Sequence, residues 1–362
     1  MKGVVRWLVV ALALVHGLLH LIGAPLGWWW VVTAVLVVAA GVALALRWPG
    51  WWTVMAVAAV VSQVVLLTAW PDAWAGTLAN LVLLAAAAYG FAAHGHRSAR
   101  AEFRRRARTA LGAARTEGVV TEDDLERLPP QVAGYLRACG AVGASRVGSF
   151  RAGVHGRIRA GADKPWMRFR GEQVNTYGPR TTRLFFIDAT MAGLPVDVLH
   201  VYADGAATMR VRLCSAVPVA HGQGPEMTRA ETVTLFNDLC VLAPATLVDA
   251  PVTWEMLDPH RVRGRYTHAG QSVTAELVFD EAGQLVDFVS DDRLRSSADG
   301  HSFTGQRWST PLSGYRELGG RRIAAVGSAR WHAPAPEGEF DYLEFVVDEL
   351  SCNAGPEDVT TR

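Results

Sequence analysis

The sequence predicts a protein in two parts: a four-helix transmembrane bundle followed by a soluble α+β domain. Three observations predict this architecture. Only Lys2, Arg6, Arg47 and Asp72 are charged before residue 94, which is too few for the surface of a soluble domain of that length. A run of arginines then falls within residues 97–108. From about residue 146, apolar and polar residues alternate with the period of two that is typical of β-strands.

The first 93 residues contain four apolar segments, each long enough to cross a hydrocarbon core of about 30 Å as a helix. They cover residues 7–26, 28–46, 52–70 and 74–91. Nine of the 13 Trp lie in this part, most of them at segment ends, where an interfacial aromatic belt would place them. Lys2 and Arg6 ahead of the first segment also suit a cleaved signal peptide, but three further spans follow directly. We therefore expect the first segment to be retained.

The basic residues that flank these segments predict the topology. Lys2, Arg6, Arg47 and the arginine run from Arg97 to Arg108 alternate with two turns, 24–27 and 71–73, that are uncharged or acidic. Lys and Arg beside a span stay on the cytoplasmic side. We therefore expect a multi-pass protein of the cell membrane with both termini in the cytoplasm. The arginine run should then lie against anionic lipid headgroups.

Polar side chains inside the apolar segments form a second candidate site. His16 and His20 are four residues apart and share one helix face, so they could ligate a haem or a metal. Alternatively, they bond to a neighbouring helix through Ser62, Gln63 or Asn80. We prefer the second interpretation, so the predicted membrane polar site is His16, His20 and Asn80, and no cofactor is expected.

The soluble half begins with signals for short helices. Thr121 with Asp124 forms the pattern of a capping box, and a second helix should run from Pro129 or Pro130 towards Gly140. We place the transmembrane part at 1–93, a basic junction with this helical collar at 94–145, the β-rich domain at 146–353 and a tail at 354–362. Within the β-rich domain the expected strands after the first, which alternates at 154–159, cover residues 166–176, 183–188, 196–202, 208–213, 253–257, 261–268, 272–279, 284–290, 302–308, 323–331 and 340–350.

One long helix interrupts the strands. Thr228 with Glu231 is a second capping-box pattern, and apolar residues then recur at helical spacing up to Ala243. Asp204 with Gly205 marks a hairpin turn between two of the strands. Strands in close succession joined by hairpins indicate an antiparallel, meandering sheet, and the helix needs such a sheet to cover its apolar stripe.

Cysteine spacing gives no metal motif. Cys139, Cys214, Cys240 and Cys352 all lie in the soluble half, without a C-x-x-C pair. Because a cytoplasmic domain keeps its thiols reduced, we expect buried, inert cysteines rather than disulfides.

Several stretches of the chain carry a resemblance to known proteins. They are HGLLH, WPDAWAGTLAN, ETVTLFNDLCVLAPATLVD from Glu231, RWSTPLSGYRELGGRRI from Arg307 and WHAPAPEGEFDY from Trp331. Across most of its length the chain resembles an uncharacterised family of bacterial multi-pass membrane proteins that has no agreed activity. More remotely, the soluble half, with its Tyr and Gly-turn hairpin at 315–323, resembles the half-barrel of lipoprotein-carrier domains. That resemblance implies a curved antiparallel sheet whose hollow holds an acyl chain or lipid.

The candidate soluble site combines polar residues of the long helix with residues of later strands. If the helix covers the hollow, Glu231 and Asp238 could pair with Arg293 or Arg316, either as a structural ion-pair network or as part of a ligand site. Asn237 and Asp238 could instead lie on a solvated helix face. The complete set of candidates is Glu231, Asn237, Asp238, Asp291, Asp292, Arg293, Trp308, Tyr315 and Arg316.

These features favour a membrane-anchored, non-catalytic domain that binds an apolar or lipid-like ligand, or a partner, at the membrane surface. The supporting observation is an aromatic-rich sheet, with Phe185, Phe186, Trp254, Phe279, Phe288 and Trp308. Nucleic acid is excluded as a partner, because acidic residues outnumber basic ones after Arg108. The alternatives are a redox or haem protein using His16 and His20, and an enzyme using Glu231, Asp238 and Arg293. The sequence contains none of the common hydrolase or nucleotide-binding motifs.

Overall fold

The computed structural model of the chain describes residues 3–359. Lys2, which contributed to the topology prediction, and the last three residues of the predicted tail lie outside the described residues. The chain divides into two compact units. The first comprises the chain up to Ala101 together with Cys214–Ala216, and the second comprises residues 102–213 and 217 onward.

The first unit consists of apolar helices. They are α1 (Gly3–Leu19), α2 (Trp28–Ala45), α3 (Trp51–Leu67), the single turn α4 (Trp70–Ala73) and α5 (Gly76–His94), with a 3₁₀ segment at His20–Leu26 that contains Pro25. Three stretches, Gly3–Gly23, Trp28–Ala45 and Gly76–Ala113, are long and apolar enough to cross a membrane. The third expected span, 52–70, is a shorter apolar helix of 17 residues, α3.

Small residues allow these helices to pack closely. Ala13, Ala40, Ala58 and Ala59 are fully buried in the core of the bundle. Small side chains at a helix interface allow the two helix backbones to approach closely. The outward positions are instead large and apolar, as at Val35, which is 64% exposed. The outer surface of this unit is therefore largely apolar.

Within residues 102–359 the second unit contains four further α-helices. They are α6 (Ala99–Ala113, of which residues 102–113 belong to this unit), α7 (Glu122–Leu125), α8 (Pro130–Ala138) and α9 (Pro225–Val241). The capping box predicted at Thr121 and Asp124 is confirmed, because each residue accepts a hydrogen bond from the other's backbone N–H. The sequence interpretation missed α6, whose Phe103, Ala107 and Leu111 form a buried stripe at helical spacing.

The strands form one antiparallel sheet, as predicted, and a separate hairpin. The strands are β1 (Ser149–Ile158), β2 (Met167–Thr176), β3 (Thr182–Met191), β4 (Leu194–Ala203), β5 (Ala206–Leu213), β6 (Val217–Gly222), β7 (Val252–Asp258), β8 (Arg261–His268), β9 (Gln271–Phe279), β10 (Leu285–Ser290), β11 (Leu294–Ser296), β12 (Phe303–Gly305), β13 (Trp308–Ser309), β14 (Leu312–Leu318), β15 (Arg321–His332) and β16 (Glu339–Cys352). The sheet runs in the order β6-β5-β4-β3-β2-β1-β16-β15-β13-β10-β9-β8-β7, with β14 beside β15. Strands β11 and β12 pair only with each other.

Two local predictions about this domain had different outcomes. The hairpin at Asp204 and Gly205 is confirmed, with positive φ at both residues (52° and 74°), as a tight turn between paired strands requires. The capping box at Thr228 and Glu231 is wrong. The helix α9 begins one turn earlier, after Gly224, and the Thr228 hydroxyl donates to the Gly224 carbonyl. The Glu231 carboxylate is engaged elsewhere.

The sheet curves around α9. This helix contacts β5 near one end of the strand order and β9 and β10 near the other end, which a flat sheet could not permit. Phe236 on α9 packs against Tyr266 and Phe288, with ring centroids 5.3 Å apart in both cases. Most of the helix is buried, so it forms the centre of the domain rather than a cover on its surface.

Helix α6 lies on the opposite face of the sheet. The Phe103 ring lies 6.1 Å from the Phe186 ring, and Arg210 pairs with Glu102 at 2.5 Å. Phe185, the neighbour of Phe186 in β3, points to the other face because successive side chains alternate. The concave face is therefore left to α9 and to the space beside it.

Candidate functional site

A cavity of about 450 Å³ lies between the concave face of the sheet and α9. Side chains from strands β1 to β5 form most of its apolar lining, including Val154, Phe169, Phe185, Val198 and Met209. Binding sites for small molecules typically occupy roughly 300–1,000 Å³ and are mostly apolar with a few polar groups. Its volume and lining are therefore those of a ligand site rather than of a packing defect.

The separate hairpin of β11 and β12 forms part of the cavity wall. Leu294, Ser296 and Phe303 contribute its lining. An exposed ion pair between Arg295 and Glu337, at 2.6 Å, ties the hairpin to the loop before β16. Because β11 and β12 make no ladder with the main sheet among the described residues, the hairpin is held by side-chain contacts and single backbone bonds.

A buried ion cluster forms the polar end of the cavity, with Arg183 of β3 at its centre. The Arg183 Nη1 atom lies 2.7 Å from Glu231 Oε2, and its Nε atom lies 2.7 Å from Asp238 Oδ2. Glu231 and Asp238 are seven residues apart on α9, so they lie on one face of the helix two turns apart. The three side chains are 2–8% exposed, which makes this a desolvated cluster.

Amides complete the surroundings of Asp238. Gln173 Nε2 and Asn175 Nδ2, both on β2, donate to Asp238 Oδ2 at 2.7 and 3.0 Å. The preceding residue of α9, Asn237, donates to Thr310 Oγ1 at 3.2 Å. The amides of Gln173, Asn175 and Asn237 thus each have a defined acceptor, which fixes their positions.

Glu231 has two further basic neighbours. Arg293 Nη2 lies 3.4 Å and His200 Nδ1 lies 3.5 Å from Glu231 Oε1. Both contacts are longer than the ion pair that Arg183 makes with the other carboxylate oxygen. The predicted pairing of Glu231 with Arg293 is confirmed, but it is the weaker of the two guanidinium contacts.

The two carboxyls respond oppositely to this environment. Burial raises the pKa of Glu231, but the charges of Arg183, His200 and Arg293 outweigh it and hold that pKa below its ordinary value. Burial raises the pKa of Asp238 above its ordinary value, and the opposing effects of Arg183 and the Asn175 amide do not cancel the shift. Glu231 therefore stays ionised, and Asp238 is the carboxyl of the cluster that accepts a proton more readily.

The structure brings five of the predicted candidates to the cavity: Glu231, Asn237, Asp238, Arg293 and Trp308. The solvated-face alternative for Asn237 and Asp238 is wrong, because these residues are only 7% and 5% exposed.

The other candidates lie elsewhere. Asp291 is largely exposed and lies 3.7 Å from Arg307, while Asp292 pairs with Arg229 and accepts from the Thr274 backbone N–H. Tyr315 donates to the Leu285 carbonyl and Arg316 to the Val347 carbonyl. The alternative pairing of the helix carboxylates with Arg316 is therefore wrong.

The aromatic residues divide between the cavity and the core. Phe185 and Trp308 line the cavity. Trp254, Phe279 and Phe288 belong to the core on the other side of α9, and Phe186 packs against α6. Most of the aromatic residues that the sequence analysis assigned to the hollow therefore do not line the cavity.

Sequence reasoning missed Arg183, Gln173, Asn175 and His200. Arg183 alternates with Phe185 and Ile187 on a strand, so it occupies an inward position among apolar residues. A charged residue at such a position indicates a buried partner, and this signal was present in the sequence. The partners themselves lie 48 and 55 positions along the chain, beyond any local pattern.

In the helical unit, the structure brings His16, His20 and Asn80 together. His16 Nε2 lies 3.1 Å from Ser62 Oγ and 3.0 Å from Asn80 Oδ1. His20 bonds through Nδ1 to the His16 carbonyl and through Nε2 to Ser62, both at 3.0 Å. Since both nitrogens of His20 are engaged, this arrangement favours helix packing, and the haem hypothesis stays a prediction.

The four cysteines are free thiols, of which Cys139 and Cys240 are buried. Burial raises the pKa of Cys139 to about 12, which makes its thiolate scarce and the residue unreactive.

Comparison with solved structures shows similarity to three bacterial proteins at low identity. An outer membrane lipoprotein-sorting protein domain from Vibrio parahaemolyticus is 13% identical, with a TM-score of 0.33, over 57% of this chain and 86% of that chain. A DUF1329 family protein from Desulfovibrio piger is 10% identical, with a TM-score of 0.37, over 66% and 95%. A LolA superfamily protein from Nitrosomonas europaea is 11% identical, with a TM-score of 0.28, over 68% and 99%.

Among curated proteins, no sequence matches the chain. A family of unknown function, DUF6544, matches residues 118–345, which is more than half of the chain. The match begins in the helical collar and ends within β16, so it includes α9 and nearly all strands of the sheet. The chain therefore belongs to the DUF6544 family.

Proposed function

We propose that the protein is a membrane-anchored, non-catalytic binding protein whose soluble domain holds an apolar or lipid-like ligand in the hollow of its sheet. The observation that carries this proposal is the cavity of about 450 Å³ between the sheet and α9. Protein interiors are close-packed, and voids larger than a water molecule are few in a domain. A space of this size with an apolar lining therefore supports a ligand rather than a solid core.

The same cavity favours a small molecule over a protein partner. Side chains from the sheet, from α9 and from the β11–β12 hairpin line it on several sides, so its walls are concave. Protein partners usually bury flatter faces, whereas lipid-like ligands need enclosure on most of their surface.

The membrane anchor and its orientation are part of the proposal. The three apolar stretches and the apolar outer surface of the first unit support insertion into a bilayer. Arg6, Arg47 and the arginine run from Arg97 to Arg108 support cytoplasmic termini, with the run beside anionic headgroups. A lipid-like ligand would then have a direct source in the adjacent bilayer.

Photocrosslinking of the full chain in lipid nanodiscs tests ligand binding. The probe is a dodecanol that carries a diazirine at the end of its chain, and the labelled peptides are mapped by mass spectrometry. We expect labelling of strands β1 to β5 in addition to the apolar helices. Val198→Trp, which fills the cavity, should abolish the strand labelling, whereas Val326→Trp, at an exposed strand position, should not. Labelling confined to the helices would contradict the proposal.

Reporter fusions test the orientation. Alkaline phosphatase, which is active only when exported, should be silent when fused after the last residue and active when fused in the turn at 24–27. An active C-terminal fusion would place the soluble domain outside the cytoplasm and refute the proposed topology.

A further inference from the structure

The basic side chains at the polar end of the cavity differ in how closely the carboxylates contact them. Arg183 makes two ion pairs at 2.7 Å and is fully buried, so its charge is already shared between Glu231 and Asp238. Arg293 makes a single ion pair of 3.4 Å, and His200 lies 3.5 Å from the same carboxylate oxygen. A guanidinium offers five N–H donors and an imidazolium two. Arg293 and His200 therefore have binding capacity that Glu231 does not use.

Three buried nitrogens at this end make no hydrogen bond within residues 3–359, although one of them, His200 Nδ1, lies 3.5 Å from Glu231 Oε1. The three are Arg293 Nε, His200 Nδ1 and Trp308 Nε1. The side chains lie together, since the Arg293 guanidinium is 5.7 Å from the Trp308 ring centroid, and all three line the cavity. Arg293 Nε and Trp308 Nε1 are donors in every state, and His200 Nδ1 is a donor when it carries the proton, so this end of the cavity presents several N–H groups to an acceptor.

We infer that the polar end of the cavity binds the carboxylate of a single-chain fatty acid between Arg293 and His200, with the acyl chain in the apolar part of the cavity. This inference rests on the proposed binding function and names the ligand class for that site. A carboxylate suits the site because it accepts hydrogen bonds only and pairs readily with a guanidinium.

Charge balance adds a proton to this binding event. Without a ligand, the guanidinium groups of Arg183 and Arg293 balance the carboxylates of Glu231 and Asp238. A third carboxylate would leave a net buried negative charge, which is strongly unfavourable unless another cation forms. His200, 3.5 Å from Glu231 Oε1, is the side chain that can become this cation, whereas Asp238 Oδ2 already accepts from Arg183, Gln173 and Asn175.

The surroundings of His200 allow this change. The neighbouring strand β5 faces it with Met209, which carries no charge. The ring of Phe185, its partner on β3, lies 6.4 Å away, and Arg183 is two residues earlier on the same strand. Among residues 3–359, the charged groups at this end of the cavity are Glu231, Asp238, Arg183 and Arg293, and Glu231 is the carboxylate within 3.5 Å of the His200 ring.

Calorimetry on the full chain in nanodiscs tests the inference, with empty nanodiscs as the blank. Dodecanoate and dodecanol have the same chain and differ in the head group. We expect dodecanoate to bind about ten- to a hundredfold more tightly, as charge-assisted hydrogen bonds imply. Titrations in buffers with different ionisation enthalpies should show net proton uptake with dodecanoate and none with dodecanol.

Matched variants locate the effect. His200→Gln should abolish the proton uptake and most of the preference for dodecanoate while dodecanol still binds. His260→Gln, at an exposed turn, is the control and should change neither. Trp308→Phe removes one N–H and keeps an aromatic ring, so it should weaken dodecanoate selectively, whereas Trp254→Phe on the far side of α9 should not.

The outcomes separate the two proposals. Equal affinity for both ligands, or a preference and proton uptake that survive His200→Gln, would overturn the head-group site and leave the apolar cavity intact. Failure of both ligands to bind above the blank would overturn the proposed function itself.

Discussion

Removing Arg183 should strongly destabilise the soluble domain. Arg183→Met keeps an unbranched side chain of similar length but leaves Glu231 and Asp238 without their main cation. Removing one partner of a buried ion pair typically costs about 3–5 kcal/mol, because the remaining charge is desolvated and uncompensated. The three side chains are 2–8% exposed, so water cannot replace the lost contact. We expect a loss near the upper end of that range.

The remaining contacts identify which carboxyl is responsible. Glu231 would still lie 3.4 Å from Arg293, but Asp238 would keep only the amides of Gln173 and Asn175. Burial already raises the pKa of Asp238, and loss of Arg183 should raise it further. A carboxyl whose pKa is raised in the folded protein adds its full contribution to the free energy of unfolding at low pH, where it is protonated. That contribution is lost as the pH rises through the raised pKa. The defect of Arg183→Met should therefore be smaller at about pH 5 than at about pH 8.

Urea unfolding of the full chain, followed by the β-sheet circular dichroism of the soluble domain, measures this loss at each pH. Adding Asp238→Asn to Arg183→Met should recover part of the stability, since no unpaired carboxylate then remains at that position. The reasoning would be refuted if Arg183→Met cost less than about 1 kcal/mol, the usual value of an exposed pair. A double variant no more stable than the single one would also contradict it.

Three further substitutions test other parts of the fold. Burial raises the pKa of Asp287 to about 6, so its contribution to the stability of the fold is complete below its ordinary pKa and is lost as the pH rises through about 6. Asp287→Asn should remove that pH dependence and raise the melting temperature at neutral pH, which scanning calorimetry at several pH values can measure. Phe103→Ala should cost about 3–5 kcal/mol in urea unfolding because Phe103 is 1% exposed against Phe186, whereas Thr109→Ala on the exposed face of α6 should have little effect. Gly205→Ala should cost about 1 kcal/mol in the same assay, because φ at Gly205 is 74° and a Cβ there would lie 2.8 Å from that of Ala269, and a neutral result would contradict the left-handed turn.

Local chemistry predicted the elements whose signals act over a few residues. Asp204 with Gly205 and Thr121 with Asp124 specify their own turn and cap, because each pattern is completed by its immediate backbone. Thr228 with Glu231 shows the same spacing and fails. Gly224 and Pro225 start that helix one turn earlier, and Arg183 draws the Glu231 carboxylate into a contact 48 residues away. A capping-box pattern therefore does not form a cap when a buried cation elsewhere in the fold binds its carboxylate more strongly.

The candidate site was predicted in part for a related reason. Both helix carboxylates and Arg293 were identified as polar residues that meet if the helix covers the hollow of the sheet. The main partner of the carboxylates, Arg183, comes from the other side of the sheet order, and only the curvature of the sheet brings β3 to α9. Tyr315 and Arg316 had equally suggestive chemistry, but their strand β14 lies off the main path of the sheet. Residue chemistry alone predicted both sets of residues as site candidates, and only the order of the strands shows which set lies at the cavity.

The position of the ion cluster bears on why the cavity stays open. An apolar hollow of this size would normally shrink by repacking, since filling it recovers dispersion contacts and removes a cavity cost. Here α9 is fixed at a set distance from β3, because Arg183 contacts Glu231 and Asp238 two helical turns apart at 2.7 Å each. Collapse of α9 onto the strands would break those contacts and leave buried charges unpaired. The cluster therefore acts as a spacer, which connects the stability prediction to the binding proposal: a variant that neutralises Arg183, Glu231 and Asp238 together should fold with a smaller cavity and label poorly with the dodecanol probe. Retention of full labelling in a folded triple variant would show that the cavity does not depend on these charges.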